Sequence, residues 1–216
     1  MRLASLIALT DARLRSLRSM RFARFVGLLI IPVFALPMAI VARHGGEDVL
    51  DAVALRGLAW LSFGAAGVAA LGAAGDLAGQ DRADGVLGLA LRRGYGPSEL
   101  SLARLLATIW RIAVVTGTPA LVLCGVALGA SGAGPLLWRR AALLLAVVGY
   151  VALLAAVLGG LARWSASVSP KRGRWLLSVL VLGPELAHEL WESVPGVIDT
   201  FGWLSHQLLQ LGAGVA

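Results

Sequence analysis

The sequence predicts an all-α, polytopic membrane helical bundle of about six transmembrane helices with a cytoplasmic N-terminus. Three observations predict it. The chain is 58% hydrophobic and only 14% charged, against about 25% charged in soluble domains. Apolar stretches free of charge recur at 25–42, 57–75, 112–137 and 141–162. Each is close to or above the ~20 residues that carry a helix across ~30 Å of hydrocarbon. Lastly, the cations are unevenly placed between these stretches. With no water in the bilayer core to satisfy backbone groups, segments this apolar must be helical to cross it.

The elements follow in order. Residues 1–24 read as an amphipathic cytoplasmic helix lying at the interface, because Leu3, Leu6, Ile7, Leu14 and Leu17 share a face and arginines fill the rest. Residues 25–216 form the transmembrane domain, with spans expected at 25–42, 57–76, 103–130, 139–162, 174–190 and 197–215 and a loop at 81–102. In the second span Gly64, Ala65, Gly67 and Gly72 leave room for close helix approach. The fifth span meets Pro184 and Glu185, and the sixth carries Ser205, His206, Gln207 and Gln210, so both are less apolar than the others.

Orientation follows from the basic residues. With the N-terminus in the cytoplasm, fourteen of the 19 Lys and Arg fall on the inner side and four on the outer side, as the positive-inside rule requires. Arg111 falls within the third span, near its inner end, where a long side chain is expected to snorkel toward the headgroups. The same asymmetry accounts for the net charge of +7. The cations face anionic headgroups from three separate segments, with no aromatic-interleaved patch of the kind that binds nucleic acid.

Several chemistries are excluded. Lys171, the single lysine, lies between Pro170 and Arg172, so no phosphate-binding G-x-x-x-x-G-K-[ST] loop exists. One cysteine, Cys124, rules out disulfides and cysteine-based metal sites within the chain. H-E-x-x-H and G-x-S-x-G patterns are absent. The chain is not expected to be an enzyme, and neither a metal nor a cofactor is expected in it. Glu185, His188, Glu189 and Glu192 share a helical face. They read first as the polar side of an outer interfacial helix beside Trp191, and less readily as a metal or proton-relay site.

The loop between the second and third spans holds the most information. A span that only had to return could do so in a few residues, yet this loop is about twenty long. Asp81, Arg82 and Asp84 open it, and Gly85 to Leu91 carries Val86, Leu87 and Leu89 as the content of a short helix. Arg92 and Arg93 follow, and Gly94-Tyr95-Gly96-Pro97 breaks the helix. Gly96 then suits an N-cap, Pro97 the first helical position and Glu99 the third, where its charge meets the positive end of the helix dipole. A helix from there runs straight into the third span, so the loop is fused to a membrane helix as a lever.

This pattern resembles the permeases of the type-2 ABC exporter superfamily. The resemblance rests on Asp81-x-x-Asp84-Gly85-x-Leu87-x-Leu89-x-Leu91, the turn at Gly94 to Pro97, and Glu99-Leu100-x-Leu102-Ala103-Arg104-Leu105-Leu106-Ala107. The family's turn proline falls late here, at Pro97. The resemblance implies that Asp81, Arg82, Asp84, Gly85, Val86, Leu87, Leu89, Arg92, Arg93 and Glu99 form a coupling helix docking a separate ATPase subunit. It further implies a second permease chain, identical or related, ATP and Mg bound by the partner, and export. The richness in Ala, Leu, Arg and Gly points to a high-GC bacterial genome, and so to a bacterial cytoplasmic (inner) membrane. The apolar spans fit an amphipathic or hydrophobic substrate. The alternative is a membrane scaffold or accessory subunit without its own transport path. An ion channel would need polar midplane ligands, and the apolar spans offer little beyond Ser62, Thr116 and Thr118.

Overall fold

A computed structural model describes residues 2–44, 53, 56–77, 81, 84–130, 137–169, 172–190, 203 and 207. Every regular element among them is helical. The expected sixth span at 197–215, apart from 203 and 207, and the connections at 45–52 and 131–136 lie outside the described residues, as does Arg82.

Helix α1 is Arg2–Ser16 and α2 is Arg18–His44. The break falls at Leu17, where the Leu17 N–H turns back to the Leu14 carbonyl. Residues 18–24, expected to belong to the interfacial segment, lie instead in the first long helix. Helix α3 covers residues 56–77. It opens into two π-helical stretches, Ser62–Ala66 and Ala73–Leu77, on either side of the α-helical turn Gly67–Gly72. Helix α4 is Val86–Arg92, α5 is Pro97–Ala130, α6 is Leu137–Val168 and α7 is Gly173–Leu190.

Four of these helices are long and apolar enough to span a membrane, over Arg18–Val41, Arg56–Gly75, Pro97–Val126 and Leu144–Val168. The protein is therefore a membrane-embedded, multi-pass helical bundle. In α7 the apolar part, Gly173–Gly183, is shorter than a span. Pro32 and Pro37 sit inside α2 and Pro119 inside α5. Such prolines are tolerated where neighbouring helices re-satisfy the freed carbonyls.

Small residues decide the layering. Three quarters of the α3 window is buried (75%), against 11% for α2, so α3 is the central helix and α2 flanks it. The core is built where α3 presents Leu61, Ala65, Ala66, Ala69, Ala70, Ala73 and Ala74 to Leu17, Met20 and Met38, and to Ile112, Leu123, Leu154 and Leu158. Gly72 makes the closest approach: a Cβ there would lie 2.2 Å from the Ser19 Oγ of α2. At Gly159 of α6 a Cβ would come within 2.7 Å of Ile109 on α5. Gly67, by contrast, would meet nothing within 4 Å, so only some of the small residues of α3 set the helix spacing. Close backbone approach through small residues replaces the hydrophobic drive that lipid removes.

Two hydroxyls of α5, one buried and one exposed, are satisfied on the helix's own backbone. Thr116 Oγ1 donates to the Ile112 carbonyl at 2.6 Å and Thr118 Oγ1 to the Val114 carbonyl at 3.0 Å. This satisfies both hydroxyls without a partner helix.

Candidate functional site

At one end of the bundle α1, α4 and the starts of α5 and α7 gather against the end of α6. Local sequence explains why α4 and α5 form here. Gly85 has φ +62° and caps α4, and Gly94 has φ +76° in the turn that ends it. Both are left-handed conformations that a Cβ disfavours. The Tyr95 N–H reaches back to the Ala90 carbonyl at 3.1 Å, which closes the last turn of α4. Helix α5 starts at Pro97, and the Glu99 carboxylate accepts the Gly96 N–H at 2.9 Å. That is the return half of a capping box, at the positions the sequence indicates.

A small apolar core ties α4 down. Ala90 of α4 packs with Leu6 of α1 and with Leu100 and Ala103 of α5, flanked by Leu3, Ile7 and Tyr95. This leaves Leu89 and Leu91 half exposed, at 55% and 50%, with Arg92 and Arg93 also exposed. Val86 is half-buried. Helix α4 thus has one face held by the bundle and another that presents leucine and arginine outward.

The first acidic residue of the loop is turned the other way. Asp81 is buried, its carboxylate 2.5 Å from Arg104 Nη2 and 3.5 Å from Arg13 Nη1. Arg13 also pairs with the exposed Asp84. One arginine of α1 therefore bridges both acids of the loop, while Arg104 ties the first of them to α5. Arg163 of α6 donates to the Ser101 hydroxyl from Nε at 3.2 Å and from Nη2 at 2.9 Å. Ala73, Leu77, Asp81, Arg104, Thr108 and Arg163 are among the residues that line a cavity of about 20 Å³, room for a single water. It is too small for a transported molecule and belongs to the ion-pair network.

Sequence reading missed the most buried ion pair among the described residues. Arg111 does not snorkel; it is 3% exposed and pairs with Asp11 of α1. Its Nε donates to Asp11 Oδ1 at 2.8 Å, and Asp11 Oδ2 accepts Arg15 Nε at 3.0 Å. Burial pushes the Asp11 carboxyl upward, but the hydrogen bonds and charges of Arg111 and Arg15 outweigh it and hold the group below the usual carboxylate range. The sequence signal was available: Asp11 is the single acid in an otherwise basic amphipathic segment, and a buried arginine in a span demands a counter-ion.

The polar cluster expected on the outer side lies only partly within the described residues. Residues 185, 188 and 189 lie in α7, and His188 is half-buried. The side chains of Glu185 and Glu189, and the whole of Glu192, lie outside the described residues. No group of three metal-ligating side chains occurs among the described residues. The Leu87 side chain also lies outside them.

No protein-family model, curated protein or solved structure matches this chain.

Proposed function

We propose that this chain is the transmembrane permease subunit of an ABC exporter, with its N-terminus in the cytoplasm of a bacterial cell. The observation that carries the reading is α4: a seven-residue helix between two left-handed glycines, exposing Leu89, Leu91, Arg92 and Arg93, and fixed on its other face to α1 and α5. Such an element fits a groove on a separate ATPase, with leucines buried in the contact and arginines at its rim. Displacement of α4 would pass to α5 through Ala90, Leu100 and Ala103, and to α1 through Arg13.

In this reading the ATPase subunit holds ATP and Mg, and this chain holds no cofactor. A second permease chain faces the first to complete the path for an amphipathic or hydrophobic substrate. Asp81 serves that mechanism from inside, bracing the loop through Arg13 and Arg104, while Asp84 stays exposed beside α4.

The test is recovery of the detergent-solubilised protein from its native membrane, followed by mass spectrometry and an ATPase assay. The expected result is a co-purifying P-loop ATPase that is lost from Leu89→Asp/Leu91→Asp while the chain stays inserted. Intact protein recovered without any ATPase overturns the permease reading in favour of a membrane scaffold.

A further inference from the structure

The arginines at this end of the bundle fall into two sets. Arg13, Arg15, Arg104, Arg111 and Arg163 are engaged by Asp81, Asp84, Asp11 or Ser101. Arg18 and Arg21 are not, and neither are Arg24, Arg92, Arg93 and Arg172; what sets Arg18 and Arg21 apart is the face on which they stand. Both stand exposed in the first turn of α2, which contains no acidic residue, and neither forms an ion pair among the described residues. Two arginines within one turn, with no acid beside them on the helix, concentrate positive potential at this surface.

Their position on the helix identifies the occupant. At 100° per residue, Arg18 and Arg21 share a face with Phe22, Phe25, Leu29 and Leu36, all four of which are exposed. The opposite face buries Met20, Ala23 and Met38 against the bundle. A cationic site therefore adjoins, on one continuous face, an apolar stripe that runs up a span-length helix. A ligand that satisfies both parts needs a negatively charged head joined to hydrocarbon. A soluble acidic protein could answer the arginines but would leave Phe22 and Phe25 to other partners.

We propose that Arg18 and Arg21 bind the phosphate of anionic phospholipids, whose acyl chains lie over Phe22 and Phe25. The site is on the outside of α2, away from α4, and does not depend on the ATPase reading.

Native mass spectrometry of the purified full chain, titrated with phosphatidylglycerol or phosphatidylcholine in detergent, tests it. Wild-type protein should retain phosphatidylglycerol in preference, and added salt should erode the preference. Arg18→Gln/Arg21→Gln should weaken phosphatidylglycerol binding about tenfold or more, the size expected for two arginines near anionic headgroups. Arg18→Lys/Arg21→Lys keeps the charge and should keep most of the binding. Arg172→Gln removes an exposed cation from the same end of the bundle but off this face, and should change little. Equal wild-type retention of the two lipids, or an equal loss in Arg172→Gln, overturns the site. Should the double glutamine variant fail to elute as folded protein, the wild-type lipid comparison and the double lysine variant decide the matter.

Discussion

Arg111 Nε donates to Asp11 Oδ1 at 2.8 Å, and Nη2 of the same guanidinium reaches the same oxygen, across a sequence separation of 100 residues. The pair locks the N-terminal helix against the spanning helix α5. Both partners are buried, so the energetics are asymmetric. Removing one charge strands the other in a poorly solvating site, whereas removing both together costs far less.

Asp11→Ala should therefore destabilise the protein by about 3–5 kcal/mol, because Arg111 is left buried and unpaired. Arg111→Met should cost less, since Asp11 keeps Arg15. The double variant should recover most of the loss. Thermal unfolding in detergent of the three variants measures this, and a double variant no better than Asp11→Ala would contradict it.

The same carboxylate sets an acid limit. Its pKa in the folded protein lies below the unfolded value of about 3.9. Its contribution is thus fully present above that unfolded value, and is lost as pH falls through the lower folded pKa. Unfolding followed from pH 7 downward should show a loss below about pH 4 that is missing from Asp11→Ala.

Helix spacing at α2 and α3 rests on Gly72. Gly72→Ala would place Cβ 2.2 Å from Ser19 Oγ and 2.6 Å from Ser19 Cβ, so the helices must separate. A destabilisation of about 1–3 kcal/mol is expected, the usual range for overpacking. Gly67→Ala, with open space around it, should be neutral or stabilising by up to about 1 kcal/mol through helix propensity. Melting temperatures of the two variants distinguish a packing glycine from an incidental one.

Asp81 holds the loop by joining Arg13 and Arg104. Asp81→Asn leaves two arginines facing each other without a shared anion. Amide hydrogen exchange across 84–96 should then accelerate, while exchange in the middle of α5 stays slow. Unchanged exchange in the loop would show that the Ala90, Leu6 and Leu100 contacts suffice to hold α4.

Much of the fold was legible because its causes are local. Apolar length announces the spans at α2, α3, α5 and α6. The Gly96, Pro97 and Glu99 sequence announces where α5 starts, since an N-cap is built from adjacent residues. The short helix α4 was legible for the same reason, bracketed by Gly85 and Gly94. The boundary of α1 was not: nothing in the pattern around Leu17 separates an interfacial segment from the helix that follows, and the chain continues helically from Arg18.

By itself, then, the sequence determined the class of the protein, the helical path of its apolar segments and the place of its break points. Tertiary structure decided what its charges do. Asp81 and Arg111 read as surface and snorkelling groups when only their own segments are considered. The docking of α1 puts Asp11 beside Arg111 and Arg13 beside Asp81, and turns both into buried partners. An apolar run reports its own cost of solvation, residue by residue. A charge reports only that a partner is needed, and which residue supplies it depends on elements brought together from a hundred positions away.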